Sequence, residues 1–157
     1  MLIPYLEGER TPDLPTATGL LTGLRTRTTR EDLARAAYLG VLCGLFAGVD
    51  ALAASGVDLS GRRFLVGGGS RSAAYSGFAA DLWDATVIVP TAIEAVAAGA
   101  CVQAAGVFGG RSLISTAQHW QLDAGTHIAP PGRLDGRAVR TAYDAAAAAA
   151  ASLAERG

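Results

Sequence analysis

The residues with the most chemical promise in this chain are Gly67, Gly68 and Gly69, followed at once by Ser70, Arg71 and Ser72. Glycines let a backbone approach a ligand closely, and free amides at a helix start favour an anion or a phosphate. The run before the triplet, Arg63 to Val66, is short and apolar, and the stretch after it reads as a helix from about Ser70 to Trp83. Strand, glycine turn and helix are therefore expected in that order. The plainer reading of the same residues is a tight turn with no ligand. The motif is not a Walker A loop, because the Gly-Lys-Ser/Thr ending is missing. Nor is it a dinucleotide fingerprint, because Ser72 stands where a third glycine belongs.

The remaining polar residues form no full constellation. Glu7, Glu9 and Arg10 lie together between prolines. Two near carboxylates can serve acid–base chemistry, but no His or nucleophile is close in sequence, so a solvated loop with a local ion pair is the default. His119 and His127, with Trp120 between them, read as packing or surface groups. Asp81 and Asp84 flank the end of the second helix, where a structural hydrogen bond is expected, and Glu94 opens the third, where a carboxylate suits the helix dipole. Cys43 and Cys101 sit in apolar helical surroundings without a CxxC or a His at ligand spacing. They read as buried free thiols in a reducing compartment, and no metal site is expected.

Several elements must position these groups. The Pro, Gly and Thr content of Met1 to Thr28 forbids a long helix, so residues 1–28 are expected to be a loop lying on a surface. Thr29-Arg30-Glu31-Asp32 has the form of a capping box, which starts the first helix at Thr29. Leu33, Ala37, Val41, Leu45, Val49 and Leu52 then recur at helical spacing, and Gly56 ends the helix. Gly40, Gly44 and Gly48 make a smooth groove along which another backbone is expected to run. Thr86 to Val89 reads as a second strand stopped by Pro90, Ile93 to Val107 as a third helix, Gly109 to Gly136 as irregular, and Arg137 to Glu155 as a closing helix. This is an α/β pattern in a single domain of 157 residues, with 29–157 as its body. Two strands make a marginal sheet. Either further strands lie hidden in 1–28 and 110–130, or the chain lacks some.

Composition narrows the partners. The net charge is −1 and all thirteen basic residues are Arg, with no polybasic stretch, so a nucleic-acid partner is not expected. Met1 to Glu9 has neither the basic nor the apolar region of a signal peptide. Leu33 to Ala54 is long and apolar, but Arg35 and Asp50 interrupt it. With its large residues read as one-sided, it suggests a core helix rather than a membrane span.

Taken together, the pieces resemble the FGGY carbohydrate kinases, most nearly the members that act on xylulose. Pro4 to Pro12, PYLEGERTP, is similar to a loop of that family. Gly19-Leu20-Leu21-Thr22-Gly23-Leu24 and Asp32-Leu33-Ala34-Arg35-Ala36-Ala37 resemble its second signature, and Gly67 to Ser72 its adenosine motif. Asp81, Val87, Pro90, Glu94 and Gly99 continue the order, so the likeness covers roughly residues 3 to 107. The chain departs from the pattern at Leu39, at Tyr75-Ser76-Gly77 in place of Trp-Arg-Gln, and at Asp84 and Thr86 in place of the Gly and Pro of GxPV. The resemblance implies the carboxy-terminal lobe of the actin-like ATPase (ribonuclease H-like) fold in a cytoplasmic enzyme. It implies ATP or ADP with Mg2+ as ligand, lined by Gly67, Gly68 and Gly69 with Ser70 and Arg71 close by. The reaction implied is transfer of the γ-phosphoryl group to a ketose such as D-xylulose. The sugar pocket, the DxGT phosphate loop and the catalytic base belong to an amino-terminal lobe with no counterpart in this sequence. The chain alone is expected to be inactive and, with apolar surface uncovered, to form a homo-oligomer. The alternative is a non-catalytic interaction or regulatory domain, or a divergent remnant.

Overall fold

The computed structural model describes residues 1–92 and 94–156. In chain order its elements are strands β1 (Leu2–Ile3) and β2 (Leu20–Leu21), helix α1 (Arg30–Ala54) and a 3-10 turn (Gly68–Arg71). Then come α2 (Ala73–Trp83), β3 (Val87–Pro90), α3 (Ala95–Gly109), α4 (Leu113–His119), β4 (Gly125–Ile128) and α5 (Gly136–Ala154). They form two compact units, Met1–Leu59 with Gly132–Gly157, and Ser60–Pro131.

In the first unit the capping box is formed as the sequence predicts. The Thr29 hydroxyl oxygen accepts from the Asp32 amide at 3.2 Å, and the Asp32 carboxylate accepts from the Thr29 amide at 3.1 Å. Both bonds satisfy donors that a helix start leaves free. They also hold the Asp32 carboxyl below the ordinary carboxylate range, the backbone bond from Thr29 contributing most. The 1–28 segment is more than a loop. Leu2 pairs with Leu21 and Ile3 with Leu20 in an antiparallel ladder, and Ile3, Tyr5 and Ala17 are buried. Further on, Glu9 and Leu14 exchange both backbone hydrogen bonds, at 2.9 and 2.8 Å.

The face that α1 buries differs from the stripe read in the sequence. Leu39, Gly40, Leu42, Cys43 and Phe46 are inside, against β1 and α5, whereas Leu33, Val41, Leu45 and Leu52 are exposed. Large apolar residues line both sides of this helix, so spacing alone could not choose between them. The choice rests on Gly40: a Cβ there would run into the carbonyl oxygen of Leu2, so only glycine admits β1. The expected backbone approach is therefore real at Gly40. At Gly44 the neighbour is the Tyr143 hydroxyl, 3.3 Å from a built Cβ, and at Gly48 the space is open. By length and composition α1 could cross a membrane, and 28% of its most apolar stretch is buried. Helix α5 starts at Asp135, whose carboxylate accepts from the Ala138 amide at 3.0 Å, and buries Tyr143, Ala146 and Ala150. Arg140 on α5 pairs with Asp50 and sits over the Phe46 ring, 5.6 Å from its centroid.

The second unit contains the strand pair that the sequence only half reveals. β3 runs antiparallel to β4, Val87 opposite Ile128 and Pro90 opposite Gly125. The run at 63–66 contributes only one bridge, Phe64 parallel to Ile88. There the Leu65 amide donates to Ile88 O at 2.9 Å and the Ile88 amide to Arg63 O at 2.7 Å. The stretch 109–136, expected to be irregular, holds α4 and β4. Gly106 lets α4 fold back on α3, since a Cβ there would lie 2.6 Å from Leu113 Cδ2. Asp84 caps α2 in the left-handed region, φ 48°, a conformation that costs most residues free energy and that glycine or Asp tolerates better. The buried set of this unit includes Ala79, Ala80, Asp81, Leu82, Val87, Ile88, Val102 and Thr116.

Candidate functional site

The glycine turn lies in the second unit, after the bridged run at Phe64 and before α2. Gly67 has φ +95°, which only glycine adopts without strain. Gly68 to Arg71 close a 3-10 turn, in which the Ser70 amide donates to Gly67 O at 3.1 Å and the Ser72 amide to Gly69 O at 3.0 Å. The helix expected from about Ser70 begins at Ala73, with Ser72 as its cap: the Ser72 hydroxyl oxygen accepts from the Tyr75 amide at 3.4 Å. The Ser76 hydroxyl donates back to Ser72 O at 3.1 Å.

The five residues named from the sequence differ in what they do locally. Ser70 is committed to the turn, its hydroxyl donating to Gly67 O at 2.7 Å. Gly69 is held against Tyr75, whose ring carbon would lie 3.2 Å from a Cβ at that position. Gly67 and Gly68 face open space, with nothing within 4 Å of a built Cβ. Gly68 has no left-handed φ either, so neither packing nor backbone geometry requires glycine there. A bare backbone facing outward suits a ligand that comes within van der Waals distance of the chain. Arg71 is exposed, one residue from the cap of α2.

Tyr75 is a contributor the sequence marked only as a departure. It stands in the first turn of α2, and its ring braces Gly69. Burial raises the pKa of its hydroxyl, in keeping with a packed ring. An aromatic residue three positions after a Ser cap was the available signal. Leading into the turn, the Arg63 guanidinium sits over the Trp83 ring at 5.2 Å and Arg62 pairs with Asp123 at 2.9 Å, so the segment before the turn is tied to the unit.

The other candidates do not assemble. Glu9 does not form the local ion pair expected with Arg10; its carboxylate accepts from the backbone amides of Arg10 and Thr11 at 2.7 and 3.2 Å. Glu7 is exposed. Asp81 is buried in α2, and Glu94 precedes α3 without a side-chain cap bond. His119 ends α4 and His127 is exposed on β4. Among the described residues no three His, Cys, Asp or Glu side chains gather as they would around a metal ion. Cys43 is buried, as expected, and burial pushes its thiol up to about 11; Cys101 is exposed, against expectation. Helix α3 leaves most of its surface uncovered, so its cysteine stays at the surface.

Comparison with known proteins gives this geometry a setting. Residues 1–107 match the profile of the FGGY family of carbohydrate kinases, C-terminal domain. A xylulose kinase of Streptomyces rubiginosus is 43% identical over 124 residues, which are 79% of this chain and 26% of that protein. One from Haemophilus influenzae is 34% identical over 104 residues, 66% of this chain and 21% of that protein. The crystal structure of xylulose kinase from Bifidobacterium adolescentis aligns with TM-score 0.67 and 34% identity, over 94% of this chain and 28% of that one. Gluconate kinase from Lactobacillus acidophilus aligns with TM-score 0.82 at 20% identity, over 99% of this chain and 32% of the other, a likeness of fold alone. The chain spans about a quarter of the length of the curated relatives it matches.

Proposed function

The chain belongs to the FGGY family of carbohydrate kinases, as its C-terminal domain, and from that premise we propose that it is the nucleotide-binding lobe of a sugar kinase acting on a ketose such as D-xylulose. Its α/β fold is that of the second lobe of the actin-like ATPases, and we take both compact units as parts of that one lobe. The observation that carries the reading is Gly68. It is a glycine that nothing inside the protein requires, in a turn between a bridged strand and a capped helix.

In this reading the backbone of Gly67 to Gly69 lies along the nucleotide. Ser70 keeps the turn closed through Gly67 O, and the exposed Arg71 meets the anionic part of the ligand. ATP supplies the phosphoryl group when bound. Phosphoryl transfer depends on positioning and on charge neutralisation around the moving group, and this lobe contributes positioning. Among the described residues no three acidic, His or Cys side chains gather; magnesium, for which one or two carboxylates and the nucleotide's own phosphates suffice, would arrive with the ATP, and no step is derived through it. The sugar pocket and the base belong to an amino-terminal lobe, the partner we assign to this chain. Val41, Leu45 and Leu52 on α1, and Val96, Val107 and Phe108 on α3, are exposed apolar side chains of the kind a partner surface covers. Without that partner, the uncovered apolar surface is expected to drive self-association.

The test is a coupled assay of ADP release with D-xylulose, run on this chain alone and with the amino-terminal lobe of a xylulose kinase added. A base within about 3 Å of the attacking hydroxyl is indispensable, so turnover should appear only with the added lobe. Sugar-dependent turnover by the chain alone would overturn the division of roles. No turnover in the mixture would favour a non-catalytic domain.

A further inference from the structure

The first unit carries a second, chemically distinct feature. The loop between β2 and α1 borders an open hollow of about 300 Å³ whose lining includes Thr22, Gly23, Arg25, Arg27, Thr28 and Asp32. Two arginines thus line one small hollow. Among the described residues neither has a hydrogen-bond, ion-pair or ring partner. Three other arginines are held in ion pairs, Arg30 with Glu31, Arg62 with Asp123 and Arg140 with Asp50.

Neither nearby carboxylate is paired with Arg25 or Arg27: Asp32, which lines the same hollow and keeps its charge, accepts from the amide and hydroxyl of Thr29 at 3.1 and 3.2 Å, and Glu31 is bound by Arg30 at 2.7 Å. The loop is fixed rather than slack. The Arg25 amide donates to the Thr28 hydroxyl at 2.8 Å, the Thr28 amide donates to Arg25 O at 2.9 Å, and the Thr22 amide donates to Met1 O at 2.9 Å. Gly23, at φ +76°, leaves open space beside it. Two unpaired guanidiniums on a pinned loop supply planar, charge-assisted donors, the geometry that suits the oxygens of a phosphate.

We propose that the hollow lined by Arg25 and Arg27 is an anion site for a phosphoryl group, carried by a nucleotide or by another phosphate ester. The inference rests on this loop and not on the glycine turn, so either can fail alone. The experiment is calorimetric titration of the 157-residue chain with inorganic phosphate at low ionic strength, and then with ADP. The comparison is the double variant Arg25→Gln, Arg27→Gln. Both side chains are exposed, so the variant should keep the native circular dichroism; the two single variants serve if it does not. Wild type should saturate with phosphate, and the double variant should bind at least about tenfold more weakly, the loss of one charge-assisted interaction or more. An Arg137→Gln variant, whose exposed side chain on α5 lies outside the hollow, should bind as wild type does. If the double change also weakens ADP binding, the anion comes from a nucleotide. If ADP binding stays and phosphate binding falls, another phosphate ester is its ligand. Equal phosphate affinity in wild type and double variant, or none in wild type, overturns the proposal.

Discussion

Gly40, Gly44 and Gly48 are spaced alike on one helix, yet substitution by Ala should act in opposite directions along it. In a helix interior Ala is favoured over Gly by about 1 kcal/mol. At Gly48 nothing lies within 4 Å of the new methyl, so the full gain should appear. For a chain of this size that is a rise of roughly 3 °C in Tm. At Gly40 the methyl would meet the Leu2 carbonyl, which is backbone and held in the ladder with Leu21. The strand must shift and carries the fully buried Ile3 with it. Overpacking of this kind costs about 1–3 kcal/mol, so Gly40→Ala should be net destabilising by about 1 kcal/mol once the helix gain of similar size is taken off. Gly44→Ala should fall between, because the neighbour at 3.3 Å is a tyrosine hydroxyl at the end of a side chain. Thermal and urea unfolding of the three variants would check the order. A Gly40→Ala protein as stable as Gly48→Ala would refute the close approach of β1 to α1.

Two further expectations concern single residues. Asp84→Gly should stabilise the second unit by up to about 0.5 kcal/mol, since Asp84 holds φ 48°, where Asp bears only part of the usual cost of a side chain and some of the gain returns through the unfolded chain; an unfolding midpoint below wild type would contradict this. Thiol labelling at pH 8 should modify Cys101 readily and Cys43 only on unfolding. Cys101 is exposed, whereas burial raises the Cys43 pKa to about 11 and keeps it protonated; equal labelling of both in the folded protein would contradict the burial.

What the sequence disclosed, and what it hid, follows from range. Local chemistry was legible: the capping box at Thr29 and Asp32, the glycine end of α1 and the turn at Gly67 depend on residues within a few positions of one another. The motif order that identifies the family was legible for the same reason. The pairing of β3 with β4 was not, because Val87 and Ile128 meet across forty-odd residues and β4 has only four, Gly125–Ile128. Nor was the buried face of α1, because Val41 and Leu42 are equally apolar and only contact with β1 distinguishes them. Helix α4, seven residues with Ser and Thr, has too little periodicity to stand out. At the glycine turn the identities of Gly67 to Arg71 were visible, but not the division between glycines the fold needs and the one it does not.

A nucleotide is proposed to lie against the glycine turn. The direct test is calorimetric titration of ADP and ATP with Mg2+ into the wild-type chain and into Gly68→Val, whose side chain would project into space that is open in the protein itself. With the partner lobe absent, wild type should bind in the millimolar range, about −4 kcal/mol. Gly68→Val should keep its thermal stability and lose the binding. Undiminished nucleotide binding by the folded Gly68→Val protein would contradict the account.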